Sequence, residues 1–167
     1  MNITAMNKIT EKIYLGDITA AQDVKTLKQN KITRVLSLVG YISPKYDMAD
    51  NIEQKLFDIN DFANENIYRI FKDALTFIDQ STQCILVHCA AGVSRSATIV
   101  IAYIMWKNKK KFEDALKFVQ SKRMVFPNCG FQEQLKIFEK DLIKANYDIN
   151  KINFNITWKY SGNILFG

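Results

Sequence analysis

Histidine is almost absent from this chain, with one imidazole, His88, in 167 residues. Its three cysteines, Cys84, Cys89 and Cys129, lack the paired spacing of zinc sites, so the usual ligand clusters are missing and neither a metal nor a cofactor is expected. Three cysteines also exclude a disulfide framework and point to a reducing compartment, the cytoplasm first and the nucleus second. Long hydrophobic runs are missing too. The longest, Ala97 to Trp106, falls well short of the ~20 residues of a membrane span, and no basic-then-apolar leader opens the chain. Asn2 in second position excludes N-myristoylation, and the Asn-Ile-Thr sequons at Asn2 and Asn155 carry no meaning in a cytosolic protein. Charge imbalance is small. The net +6 favours phosphorylated or acidic partners only weakly, and the densest cluster, Lys107–Lys111, reads as a polar connector between helices rather than a nucleic-acid or headgroup patch.

What is present is an ordinary globular composition, 48% hydrophobic and 24% charged, in a length suited to one domain. Ile13-Tyr14-Leu15-Gly16, Arg34–Val39 and the alternating Ile52–Ile59 read as strands, and Ala20–Gln29 reads as one helix. Gly40–Asn51 and Asn60–Asn64 are loops. Ile67–Asp79 carries apolar residues at helical spacing, a buried strand Ile85-Leu86-Val87 follows, and three more helical stretches cover Ala97–Trp106, Phe112–Ser121 and Phe131–Ala145. Strands alternating with helices predict an α/β fold, a central and mostly parallel sheet flanked by helices. The tail from 146 to 167 alternates Phe154, Ile156, Trp158 and Tyr160, and is expected to add a strand or lie along the body of a catalytic domain spanning 1–145.

Between the buried strand and the Ala97 helix lies His88-Cys89-Ala90-Ala91-Gly92-Val93-Ser94-Arg95-Ser96. A short loop entering a helix turns backbone N–H groups inward, and the helix's first amides have no internal partners, which makes an anion site. Ala90, Ala91, Gly92, Val93, Ser94 and Arg95 would line it; Gly92 permits positive φ, and Arg95 offers a planar fork of donors matched to phosphate oxygens. The same field favours thiolate over thiol at Cys89, placing a nucleophile at the floor. Ser96 lies where its hydroxyl can donate to that sulfur, and His88 suits a loop-orienting role better than that of a base. A cysteine ending a strand is usually a small hydrophobe, and Cys-x5-Arg alone matches many chains. Here strand, glycine, serine and helix are all in register, and the reading is covalent phosphoryl transfer.

With Tyr14-Leu15-Gly16, Phe77-Ile78-Asp79, Leu86 to Thr98, Ala102–Met105, and Pro127-Asn128-Cys129-Gly130-Phe131 with Gln134-Leu135, the chain resembles the dual-specificity phosphatases of the cysteine-dependent protein tyrosine phosphatase superfamily. The likeness is strongest to the small atypical enzymes without a kinase-docking domain. It implies a protein tyrosine phosphatase-like fold and hydrolysis of phosphotyrosine and phosphoserine or phosphothreonine on protein substrates, kinases among them, through a cysteinyl phosphate. It further implies a general acid on a loop before the motif helix. Asp61 and Asp58 compete, and the count back from Phe77-Ile78-Asp79 favours Asp61, whose plainer role would be a turn or cap aspartate. Asn128 is expected to brace the phosphate loop by a hydrogen bond. Cys84 and Cys129 are structural, each a candidate disulfide partner of an oxidised Cys89. Two other readings stay open: a phosphatase of inositol lipids or RNA 5′ ends, disfavoured by uncharged Ala90, Ala91 and Val93, and an inactive phosphate-binding module, disfavoured by intact Cys89, Arg95 and Asp61.

Overall fold

A computed structural model describes residues 4–162. Five strands form one sheet in the order β1-β2-β5-β3-β4. β2 (Ile13–Gly16), β5 (Cys84–His88), β3 (Ile32–Ser37) and β4 (Glu53–Leu56) run parallel, and β1 (Met6–Lys8) pairs antiparallel on the β2 edge. The central strand β5 alternates its side chains between two cores, as a two-faced sheet requires. Ile85 and Val87 face the larger core beneath the later helices, while Leu86 joins Val35, Ile32 and Leu27 on the opposite face.

That opposite face is covered by two short helices where one was expected. α1 (Ile18–Gln22) starts at Asp17, whose Oδ1 accepts the Ala20 N–H at 2.9 Å, and α2 (Val24–Gln29) restarts at Asp23, whose Oδ1 accepts the Thr26 N–H at 3.1 Å. An aspartate side chain that captures a backbone N–H two or three residues ahead begins a helix, and here it breaks the run Ala20–Gln29 at position 23. The other face carries α3 (Phe71–Asp79), preceded by a 3-10 turn Tyr68–Ile70, then α4 (Arg95–Lys107), α5 (Phe112–Gln120) and α6 (Cys129–Lys144). α4 is buried on most sides from Ser96 to Met105, which is why its apolar run lacks a polar stripe. No described helix is long and apolar enough to cross a membrane. The lysine cluster is a connector: Lys107 pairs with Asp79 at 3.0 Å, and Lys109 lies over the Tyr147 ring.

Beyond α6 the chain makes a 3-10 turn, Ile149–Lys151, capped by Asp148, and continues extended without pairing into the sheet. Phe154 is buried against Tyr68 and Phe138, with ring centroids 5.5 and 6.1 Å away. From there Ile156, Trp158 and Tyr160 are half-buried and the residues between them exposed, so the alternation seen in the sequence serves packing on the body rather than a sixth strand.

Candidate active site

The parallel strands deliver their carboxyl ends to one rim, and β5 ends there between β2 and β3. Open sheets bind ligands at such a rim. Cys89 follows the last residue of β5, is buried, and holds its Sγ 3.1 Å from Ser96 Oγ. The Gly92 N–H donates to the same sulfur at 3.2 Å.

Six consecutive carbonyls of the loop are tied outward. Cys89 O meets His88 Nδ1 at 3.1 Å, Ala90 O accepts from Ile18 N at 3.1 Å, and Ala91 O accepts from Arg123 Nη2 at 3.2 Å. Gly92 O accepts from Arg123 Nε at 2.9 Å, Val93 O from Phe126 N at 2.9 Å, and Ser94 O from Thr98 N at 2.9 Å. In a planar trans peptide the next N–H points opposite its carbonyl, so the amides of residues 90 to 95 are turned to the inner side of the loop. Concave rows of amides at a helix N-terminus attract anions. Gly92 sits at φ +67°, and a Cβ there would come within 2.4 Å of Gly16 O, so only glycine fits. Arg95 donates from Nη1 to Ile59 O at 3.1 Å, while its Nε is buried with no partner among the described residues, a donor that a phosphate oxygen would satisfy.

Asp61 stands at the exposed edge of this loop. Its Oδ1 accepts from Ser94 Oγ at 2.7 Å and from Asn128 Nδ2 at 2.8 Å, with no hydrogen bond to Oδ2 among the described residues. Asp58 lies elsewhere, its carboxylate against Gly40 and its carbonyl accepting from Arg69. The structure therefore brings Asp61, not Asp58, to the phosphate loop. Asn128 departs from expectation: its side chain does not touch the loop backbone. It divides between Asp61 and the first turn of α6, where Oδ1 accepts the Phe131 N–H at 2.9 Å, and only its backbone N–H reaches the loop, donating to Ser94 Oγ at 3.0 Å.

His88 is buried, and burial pushes its pKa down to about 4. A neutral imidazole has one N–H, and Nδ1 faces a carbonyl, so that N–H sits on Nδ1. Nε2 then accepts from Ser37 Oγ at 2.6 Å, and Ser37 Oγ in turn accepts from Gln54 Nε2 at 3.0 Å. This Gln54–Ser37–His88 relay ends on the Cys89 carbonyl and fixes the tautomer.

Two features escape sequence reading. Arg123, 4% exposed, donates to Ala91 and Gly92 of the loop and also to Thr4 O at 2.7 Å and Asn7 Oδ1 at 2.9 Å, strapping the N-terminal edge strand to the cradle. Ser37 and Gln54 are the other; they stand on separate strands and carry no signal in their spacing. Cys84 is a correction. It opens β5 while Cys89 follows its end, so the two stand five residue steps apart along the strand, about 16 Å at the usual rise, and no disulfide joins the pair without unravelling the strand. Cys129 is an exposed free thiol at the start of α6.

Comparison with known proteins matches residues 13–141 to the family described as dual specificity phosphatase, catalytic domain. The chain is 42% identical over 139 residues, 81% of its length, to MAP kinase phosphatase with leucine-rich repeats protein 1 of Dictyostelium discoideum, but spans only 16% of that relative. It is 40% identical over 139 residues to dual specificity protein phosphatase 22 of Homo sapiens, covering 81% of this chain and 74% of the other. Among solved structures, a human tyrosine phosphatase-like serine/threonine/tyrosine-interacting protein superposes with a TM-score of 0.77 at 34% identity, covering 83% of this chain and 97% of that one.

Proposed function

The chain belongs to the dual specificity phosphatase family, and on that premise we propose that it hydrolyses phosphotyrosine and phosphoserine or phosphothreonine on protein substrates through a cysteinyl phosphate. The observation that carries the reading is the buried Cys89 sulfur, held by the Ser96 hydroxyl and the Gly92 amide at the floor of an inward-facing ring of N–H groups, with Asp61 at the rim.

In the first step Cys89 Sγ attacks phosphorus in line. The loop amides and Arg95 hold the equatorial oxygens, the bond from phosphorus to the substrate oxygen breaks, and Asp61 gives that oxygen its proton. In the second, a water attacks the cysteinyl phosphate as Asp61, now a carboxylate, takes its proton. The sulfur–phosphorus bond breaks, and Ser96 and the Gly92 N–H receive the returning thiolate. The neutral His88 relay orients the Cys89 carbonyl, and Asn128 and Ser94 aim the acid. Relatives named MAP kinase phosphatases support phosphorylated kinases as substrates, and the uncharged Ala90, Ala91 and Val93 favour single phosphoresidues over polyphosphorylated lipids. A cytoplasmic or nuclear site of action fits three reduced cysteines.

Hydrolysis of p-nitrophenyl phosphate that vanishes in Cys89→Ser, with phosphotyrosyl and phosphothreonyl peptides both dephosphorylated by the wild type, is the expected result. A folded wild-type protein that binds phosphate without turnover would make it a binding module instead.

A further inference from the structure

The loop that carries Asp61 has few internal bonds: between 61 and 66 only Glu65 N to Phe62 O, at 3.0 Å, closes on itself. Its far end is fastened by α6, where Gln134 Nε2 donates to Glu65 O and Gln134 Oε1 accepts from Tyr68 N. The middle of the loop is held from outside the region shared with the family, which ends at residue 141. Trp158 Nε1 donates to Ala63 O at 2.8 Å, the Tyr160 N–H donates to Asn64 Oδ1 at 3.0 Å, and Asn66 Nδ2 donates to Ile156 O at 2.8 Å. Alternate residues of the extended tail thus bond to three of the five residues that follow the acid. Ala63 is also pressed from behind: a Cβ on Gly130 would come within 2.0 Å of its carbonyl oxygen, so α6 closes on it directly. The tail is itself secured by Phe154, buried beside Tyr68 and Phe138.

We propose that residues 153–160 act as an intramolecular strap that positions the Asp61 loop for proton transfer, with Trp158 as its chief positioning residue. The proposal rests on the reading of Asp61 as the general acid. A loop free to sample other conformations leaves Asp61 in reach of the leaving oxygen for only part of the time, and turnover falls by that fraction. Bonds to Ala63, Asn64 and Asn66 narrow the ensemble before substrate arrives. The strap makes no hydrogen bond to Cys89 or Arg95, so its loss reduces the rate in proportion to how much the reaction needs an acid. It also gives a route for control, because anything that draws the tail away lowers acid catalysis without disturbing the phosphate cradle.

The test uses the full chain with Trp158→Phe, which keeps an aromatic ring and loses the N–H, and Trp158→Ala. Each is assayed on phenyl phosphate, whose leaving group needs protonation, and on p-nitrophenyl phosphate, whose leaving group needs it far less. Asp61→Asn is measured alongside to set the scale, with vanadate inhibition as a probe of the cradle. Trp158→Phe is expected to lower kcat on phenyl phosphate about fivefold, the loss of one hydrogen bond, and Trp158→Ala further, with the p-nitrophenyl rate changed by less than about twofold. Vanadate inhibition stays as in the wild type, and amide exchange quickens at residues 62–66. If Asp61→Asn discriminates between the two substrates and the Trp158 variants lower both rates equally or neither, the strap is overturned. If Asp61→Asn itself shows no discrimination, the acid assignment fails and the strap with it.

Discussion

The Ser94 hydroxyl donates to Asp61 Oδ1 at 2.7 Å while accepting the Asn128 N–H at 3.0 Å, so one oxygen joins the phosphate loop, the acid and the start of α6. The carboxylate proposed as the acid is thereby tethered to the loop after β5 rather than left at the end of a free loop. Ser94→Ala keeps the loop backbone and removes the tether. Its kcat on phenyl phosphate is expected to fall about tenfold, the worth of one hydrogen bond, and steady-state kinetics would show it. An unchanged kcat would mean that Asn128 alone holds the carboxylate.

Arg123 supplies four donated bonds from a site 4% exposed. Arg123→Met leaves the carbonyls of Thr4, Ala91 and Gly92 without their donors and is expected to cost about 3 kcal/mol of stability, read by urea denaturation, and to raise KM for aryl phosphates. Arg123→Lys keeps the charge but not the fork, and should fall between wild type and Arg123→Met. Equal stability of all three would show that the buried guanidinium is not what holds the loop.

Gly92→Ala places a methyl 2.4 Å from Gly16 O at a φ of +67°. Accommodating it means moving either β2 or the phosphate loop, at about 2 kcal/mol or more. Activity should be lost together with a drop in melting temperature. A fully active Gly92→Ala would contradict the close approach of residues 16 and 92.

His88 is held neutral by burial, with a pKa of about 4 against 6.5 when exposed. Between these values the unfolded chain binds a proton that the native protein refuses, so stability rises with pH across that window. The contribution is complete above pH 6.5, is lost as pH falls towards 4, and amounts to about 3 kcal/mol. Urea titrations at pH 7 and pH 4 should show a steeper loss in the wild type than in His88→Asn. Parallel losses would place the proton elsewhere.

Cys84 and Cys89 stand at opposite ends of β5. Peroxide treatment followed by peptide mass spectrometry is expected to find no Cys84–Cys89 disulfide, and Cys84→Ala should leave the rate of inactivation by peroxide unchanged.

Much of this architecture was legible because its signals are local. Residues 85–96 carry their strand, glycine, serine and helix in adjoining positions, and α3, α5 and α6 repeat apolar side chains at helical spacing. Where the reading failed, the deciding contact was invisible to periodicity. The break between α1 and α2 depends on the Asp23 carboxylate taking the Thr26 N–H. β1 is three residues, Met6–Lys8, that acquire strand geometry only by pairing with β2. Arg123 binds main-chain carbonyls of residues far away in the chain, and carbonyls leave no residue-type pattern. The sequence points to Asn128 as a brace on the loop, but an amide has two ends, and only the fold shows that they go to Asp61 and to Phe131.

The strand order has a consequence for how the protein is made. β5 lies between β2 and β3 although it is the last of the five in sequence, and β2 meets it across some seventy residues, Ile13 opposite Ile85. Neither flanking strand can complete its ladder until β5 has inserted, and such long-range parallel pairing is slow. The phosphate loop leaves from the end of that inserting strand. In refolding from urea, phosphatase activity should therefore return in the same kinetic phase as the native tryptophan fluorescence, with no earlier active species, so that enzymatic turnover reports the completed sheet.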